Sequence, residues 1–247
     1  MCGRYATVTD PAVLAAEIDA LDETGDGSGA PDTHVPRYNV APTMAVPVVA
    51  TGRGVRRIRR MRWGLVPTWA PDISGPPLFN ARSETAHEKP AFRESFESRR
   101  ALIPMDGWFE WASRPDKFGR PVNQPYFLAP DEGRLYMAGV WSHWRHPETR
   151  EGLFSCAILT TASVGELANV HERMPLIVPP ERWGRWLDPA EPTGAELLEP
   201  AWDQLSRITV TPVSSRVNSV RNDGPQLLER QDITDAQPEP GEQFTLL

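Results

Sequence analysis

The hydrophobic residues of this chain fall into short runs interrupted by proline, glycine and aspartate, a punctuation that predicts strands and turns rather than long helices. Strands are expected at Val46 to Ala50, Ala101 to Met105, Gly107 to Ala112, Pro125 to Ala129, Leu135 to Trp144, Phe154 to Thr161 and Ile208 to Ser215, with a shorter one at Leu176 to Val178. Helical spacing is confined to a few places. Thr9-Asp10-Pro11 reads as an N-cap with proline in the first turn, leading into Val13, Leu14, Ile18 and Leu21. Other short helices are expected over Ser83 to Ser98, Glu181 to Leu187 and Gly194 to Leu205. No repeat and no shift in composition divides the chain ahead of its C-terminal end. The pattern predicts one α+β domain over residues 1–230, rich in antiparallel strands. A Gly/Asp/Ser-rich flexible loop is expected at 22–34 and a polar, disordered tail at 231–247.

Composition narrows the class. With 247 residues, 40% of them hydrophobic, the chain can bury a substantial core. No apolar run approaches the ~18 residues of a membrane span and no apolar signal-peptide core opens the sequence, so a cytoplasmic protein without membrane contact is expected. The two cysteines, Cys2 and Cys156, have no metal-ligand spacing, and His143 and His146 lack a third ligand. Gly25, Gly27 and Gly29 follow no strand and open no helix, so neither a metal nor another cofactor is expected. A net charge of -7 argues against a protein that coats nucleic acid non-specifically, yet leaves room for a single basic groove. The stretch Arg53 to Arg62, RGVRRIRRMR, holds six arginines. It is either a solvated face or the rim of an anion-binding groove.

Candidate chemistry begins at the second residue. Once the initiator methionine is removed, Cys2 carries an α-amine titrating near ~8 and a thiol near ~8.5 on adjacent carbons. An aldehyde meeting that pair forms an imine, and the thiolate then closes a five-membered thiazolidine. By itself position 2 reads equally well as an ordinary terminal residue. Elsewhere, Trp63 and Trp69 flank a tight Gly/Pro segment and are either core filling or a base-stacking platform. Asn80 and Arg82, two apart on an extended chain, would share a face. Glu110, set in Trp108-Phe109-Glu110-Trp111, either points to solvent or is desolvated by its aromatic neighbours, with a raised pKa suited to acid/base work. His171 is a structural hydrogen bonder or a proton carrier.

Six stretches, taken in order, give a more specific reading: Cys2-Gly3-Arg4, Tyr38 to Thr43 (YNVAPT), Trp63-Gly64-Leu65, Asn80 to Thr85 (NARSET), Gly107 to Trp111 (GWFEW) and His171 to Pro175 (HERMP). Over roughly residues 2–225 the chain resembles the SOS response-associated peptidase (SRAP) family, whose members process abasic sites in DNA. The resemblance implies a barrel-like, mainly antiparallel β core with short peripheral helices. It also implies that Cys2 captures the ring-opened aldehyde of an abasic site in single-stranded DNA. Asn80 would then orient the adduct, Glu110 act as acid and base, and His171 shuttle the proton at the sugar oxygen. Arg4 and Arg82 would hold phosphates, Asn39 and Pro42 would line the same pocket, and Trp69 would stack on a base. The implied partner is single-stranded DNA containing abasic sites, met at the nucleoid, with no metal. Two other classes remain open at this point. One is an N-terminal-nucleophile thiol peptidase, with Cys2 attacking, His171 as base and Asn80 stabilising an oxyanion. The other is a non-covalent single-strand binder built on the arginine run.

Overall fold

A computed structural model describes residues 2–25 and 35–232. Met1, most of the expected loop at 22–34 and nearly all of the expected tail lie outside the described residues. Among the described residues thirteen strands occur, in the order β1 Tyr5–Thr7, β2 Leu21–Asp22, β3 Arg37–Val40, β4 Ala45–Gly52, β5 Val55–Trp63, β6 Asn80–Arg82, β7 Arg100–Met105, β8 Gly107–Pro115, β9 Pro121–Pro130, β10 Leu135–Arg145, β11 Gly152–Ala162, β12 Arg173–Pro175 and β13 Ile208–Pro212. The helices are short: α1 Pro11–Ile18, α2 Arg93–Ser98, α3 Trp183–Leu187 and α4 Trp202–Leu205. None is long and apolar enough to cross a membrane.

Five strands close on themselves. β11 pairs antiparallel with β10, β10 with β7, β7 with β4 and β4 with β5. The end of β5 returns to β11 in parallel, Arg62 opposite Ser155 and Trp63 opposite Cys156. Because strand residues alternate faces, this closure sorts each strand into two cores. Inward lie Val46, Val48, Met61, Trp63, Ile103, Met137, Cys156 and Ile158; outward lie Val49, Ile58, Leu102, Val140 and Leu159, covered by α1, α2 and α3. A second sheet, ordered β13-β9-β8-β1-β3, is wholly antiparallel. It supplies Tyr5, Trp108 and Leu128 to the inner cluster and so caps one mouth of the barrel. The N-terminal strand β1 lies between β3 and β8, in the interior of that sheet. The antiparallel, barrel-like α+β fold expected from the sequence is the fold found.

Helix boundaries differ from the sequence expectation, each for a local reason. Asp10 caps α1 as expected, accepting from the Ala12 amide at 2.8 Å, but the helix ends at Ile18 because Asp19 takes a left-handed conformation with φ 51°. Leu21 therefore joins β2 along β5, and both it and Val13 are exposed while Leu14 and Ile18 are buried. Of the expected helix at Ser83 to Ser98 only α2 is regular; Pro90 has no amide hydrogen to donate, and residues 83–92 form successive turns instead. Pro200 likewise divides the expected Gly194 to Leu205 helix into a single 3-10 turn at Ala195–Leu197 and α4.

Candidate active site at the capped mouth

The sheet that caps the barrel carries Cys2 into its wall. Tyr5 in β1 pairs with Trp108 of β8 and packs edge-on against Trp63 at 5.3 Å between ring centroids. Trp63 in turn donates its indole N–H to the Phe79 carbonyl at 2.8 Å, fixing the backbone immediately before Asn80. Its neighbour Gly64 has φ 130°, and a Cβ there would lie 2.7 Å from Arg62 Nη1 and 3.0 Å from Pro77 Cβ, so only glycine fits. Asn80 opens β6, which runs parallel to β11 with Asn80 opposite Ile158. From there Asn80 Nδ2 donates to the Cys2 carbonyl at 2.7 Å. Asn80 Oδ1 is buried with no hydrogen-bond partner among the described residues, an acceptor held ready beside Cys2.

Cys2 itself is fully buried, and burial, followed by the field of Glu110, pushes its thiol far above the ordinary cysteine range. With Met1 attached, its nitrogen is an amide. In that state Cys2 offers no amine, and its thiol is held protonated by burial. Glu110 lies in β8 opposite Tyr126 and is 3% exposed; burial raises its carboxyl from 4.5 to about 7. Of the two sequence alternatives for Glu110, the desolvated one holds.

His171 follows a 3-10 turn at Gly165–Asn169 and precedes β12. His171 Nδ1 lies 2.9 Å from the Arg173 amide nitrogen and 3.1 Å from the Arg173 carbonyl oxygen, so the backbone of Arg173 fixes the orientation of the ring. Burial lowers the His171 pKa, which keeps the ring neutral at pH 7. Arg173 is a functional candidate that sequence reasoning left without a role. Its guanidinium grips Glu84 with both terminal nitrogens, at 2.6 and 2.9 Å, and also donates to the Thr160 carbonyl. It thereby ties the His171 loop to β11 and to the segment just past Asn80. Its place inside the HERMP stretch was the available signal.

The residues expected to meet DNA divide into two kinds. Trp69 is 64% exposed, and Arg82 is exposed two residues beyond Asn80. Arg4 and Asn39 instead are turned toward the protein. Arg4 Nη1 donates to Asn39 Oδ1 at 2.9 Å and to the Val217 carbonyl at 2.6 Å, with its guanidinium carbon 6.0 Å from the Trp111 ring centroid. Asn39, 1% exposed, donates to the carbonyls of Val217, Ser219 and Asn222. This pair shapes the segment 215–222, which the sequence analysis did not single out, and Trp111 joins it through Asn218 at 2.8 Å. Pro42 and Thr43 form a turn closed by Met44 N–H to the Ala41 carbonyl, in which Thr43 has φ 79°. Among the described residues no group of three His, Cys, Asp or Glu side chains is placed to hold a metal. His143 stacks on Phe154 and His146 accepts amides of its own turn.

Comparison with known proteins fits this geometry. The family described as SOS response associated peptidase (SRAP) matches residues 1–220. Abasic site processing protein YoqW of Bacillus subtilis is 32% identical over 234 residues, covering 93% of this chain and 99% of that protein. Abasic site processing protein YedK of Escherichia coli is 32% identical over 237 residues, with 93% and 99% covered. Abasic site processing protein HMCES of Rattus norvegicus is 30% identical over 275 residues, covering 94% of this chain and 77% of its own. A crystal structure of a Bacteroides thetaiotaomicron protein superposes with a TM-score of 0.78 at 22% identity, over 93% of this chain and 100% of that one, which establishes the shared fold.

Proposed function

This chain belongs to the SOS response associated peptidase (SRAP) family, and from that premise we propose that it processes abasic sites in DNA by linking Cys2 covalently to the ring-opened deoxyribose. The observation that carries the reading is the environment of Cys2: Asn80 bound to its carbonyl at 2.7 Å with a buried acceptor to spare, and a carboxyl whose pKa lies at about 7 beside it.

Removal of Met1 frees the amine. The amine nitrogen attacks the C1′ aldehyde, and Glu110, ionised in half the molecules near pH 7, takes the proton that the nitrogen sheds. The same carboxyl, now protonated, delivers a proton to the carbinolamine hydroxyl, which leaves as water. The Cys2 sulfur then adds to the imine carbon and its proton passes to the nitrogen, closing the thiazolidine. Aldehyde plus aminothiol gives thiazolidine plus one water, with no change of oxidation state. Asn80 Oδ1 accepts from the amine and aims it. His171, neutral, takes the C1′ hydroxyl proton and hands a proton to the sugar ring oxygen as the bond between them breaks, ending neutral again with the aldehyde exposed. Exposed Trp69 and Arg82 receive a base and a phosphate, and such a splayed, unpaired sugar is reached most readily in a single strand.

The test is incubation of purified protein with an abasic single-stranded oligonucleotide. A denaturation-stable adduct is expected at the mass of protein lacking Met1 plus oligonucleotide minus one water. An equal yield from Cys2→Ala, or from protein that retains Met1, would refute the mechanism.

A further inference from the structure

The barrel has a second mouth, at the end away from Cys2, and it is built differently. β5 and β11 are paired only at residues 62–63 of β5; ahead of that the two strands part, and β2 takes the edge of β5 at Arg57 and Ile58. The gap opens into a cavity of about 460 Å³ lined on one side by Arg53, Arg57 and Arg59 and on the other by Trp141 and Phe154. By strand alternation Arg57 and Arg59 share the inward face of Met61 and Trp63, so two guanidiniums are aimed over an apolar core. One carboxylate, Glu23, serves both: it accepts from Arg57 Nη1 and, at 2.6 Å, from Arg59 Nε. Arg59 also lies over the Phe154 ring at 5.3 Å, whose other neighbour is His143, stacked at 4.3 Å. Arg53, in the β4–β5 turn, pairs with no described carboxylate.

Three guanidiniums facing one carboxylate leave an excess of positive charge in a cavity with an aromatic wall. Burial together with the neighbouring Arg145 and Arg59 charges lowers the pKa of His143, consistent with that excess. The arginine run left open by the sequence is thus not simply a solvated face. We propose that this mouth is a binding site for a nucleotide phosphate, its phosphate held by Arg53, Arg57 and Arg59 and its base laid against Trp141, separate from the Cys2 site. The volume suits one nucleotide, because small-molecule sites commonly span ~300–1,000 Å³. Glu23 holds two of the three guanidiniums in place before any ligand arrives, which reduces the ordering cost of binding.

The chemistry is shared by a free nucleotide and by one residue of a passing single strand, and calorimetric titration of the full chain separates them. The probes are inorganic phosphate, thymidine monophosphate and an intact thymidine hexanucleotide. Arg53→Gly is the primary variant: Arg53 sits at φ 53°, a conformation glycine accepts, so the change removes a charge without straining the turn. It should raise the dissociation constant about tenfold, the loss of one charge-assisted contact, and Trp141→Leu should weaken both nucleotide probes but not phosphate. Arg82→Ala, near the other mouth, should leave monophosphate binding unchanged. Monophosphate binding that depends on Arg53 supports a free nucleotide; hexanucleotide binding alone that depends on Arg53 supports a strand. Phosphate binding as tight as both nucleotides, affinities indifferent to Arg53→Gly, or no binding at up to ~10 mM would overturn the proposal.

Discussion

Replacing Glu110 by glutamine separates what this carboxyl does for the chemistry from what it does to the fold. The side chain is 3% exposed and titrates at about 7 instead of 4.5. Below pH 4.5 it is protonated in both folded and unfolded chains, and its burial costs nothing in charge. Between 4.5 and about 7 only the folded state keeps the proton, so stability falls as pH rises. Above about 7 the full cost is present. At roughly 1.4 kcal/mol per tenfold change in proton affinity, that interval amounts to about 3 kcal/mol. Glutamine has the same shape and no charge to bury. Urea unfolding should therefore find Glu110→Gln more stable than wild type by about 3 kcal/mol at pH 8.5 and equal to it near pH 4, a difference of roughly 6 to 12 °C in melting midpoint for a chain of this size. In the same variant the rate of adduct formation should drop by about 10²- to 10⁴-fold, the usual contribution of a general acid and base. A stability difference that is the same at both pH values would mean that the carboxyl is not desolvated, and the proton-transfer role derived from its burial would fall with it.

Other changes test the surroundings. Trp69→Ala removes an exposed ring and should leave the melting midpoint where it is, while weakening binding of abasic oligonucleotide by roughly 1–3 kcal/mol in a fluorescence titration. Arg173→Lys keeps the charge but loses the two-pronged grip on Glu84; adduct formation should slow about tenfold or more with little change in oligonucleotide affinity, the signature of a residue that positions His171 rather than holds the ligand. Thr43 is a β-branched residue at φ 79°, and Thr43→Gly should raise the melting midpoint by about 2–4 °C, corresponding to ~1 kcal/mol of relieved backbone strain. Calorimetric scanning reads that directly.

Most of the barrel was legible because its strands are bounded by proline and glycine and their alternation survives in the folded state. Glu110 was legible for a related reason: Trp108 and Phe109, fully buried in β8, announce a strand with little access to water. The helix expected at residues 83–98 was misjudged because polar residues that make good helix formers are also good turn formers, and Pro90 decides between them. Arg4 and Asn39 carry a different lesson. Arg4 was expected at a phosphate and Asn39 in the lining of the same pocket; the structure adds partners neither residue type announced, Arg4 bonding Asn39 and the Val217 carbonyl and Asn39 the carbonyls of Val217, Ser219 and Asn222, almost the whole chain away. No local pattern announces a contact closed over that distance. The same holds for the second barrel mouth, where Trp141 and Phe154 meet an arginine strand drawn from far upstream.

The position of β1 sets the reach of Cys2, the proposed nucleophile. Only two residues, Gly3 and Arg4, separate Cys2 from a strand hydrogen-bonded on both sides, and Arg4 is itself clamped at Asn39 and Val217. An extended chain gains about 3.3–3.6 Å per residue, so one residue inserted after Cys2 would displace Cys2 by more than the length of a hydrogen bond and take its carbonyl off Asn80. Cys2 is in this sense an anchored electrode rather than one on a tether, and in the proposed reaction it does not search for its substrate. On the proposed mechanism the damaged sugar has to be delivered to a point fixed by the sheet, and selection among lesions becomes a question of which strands can bend far enough to bring a sugar there.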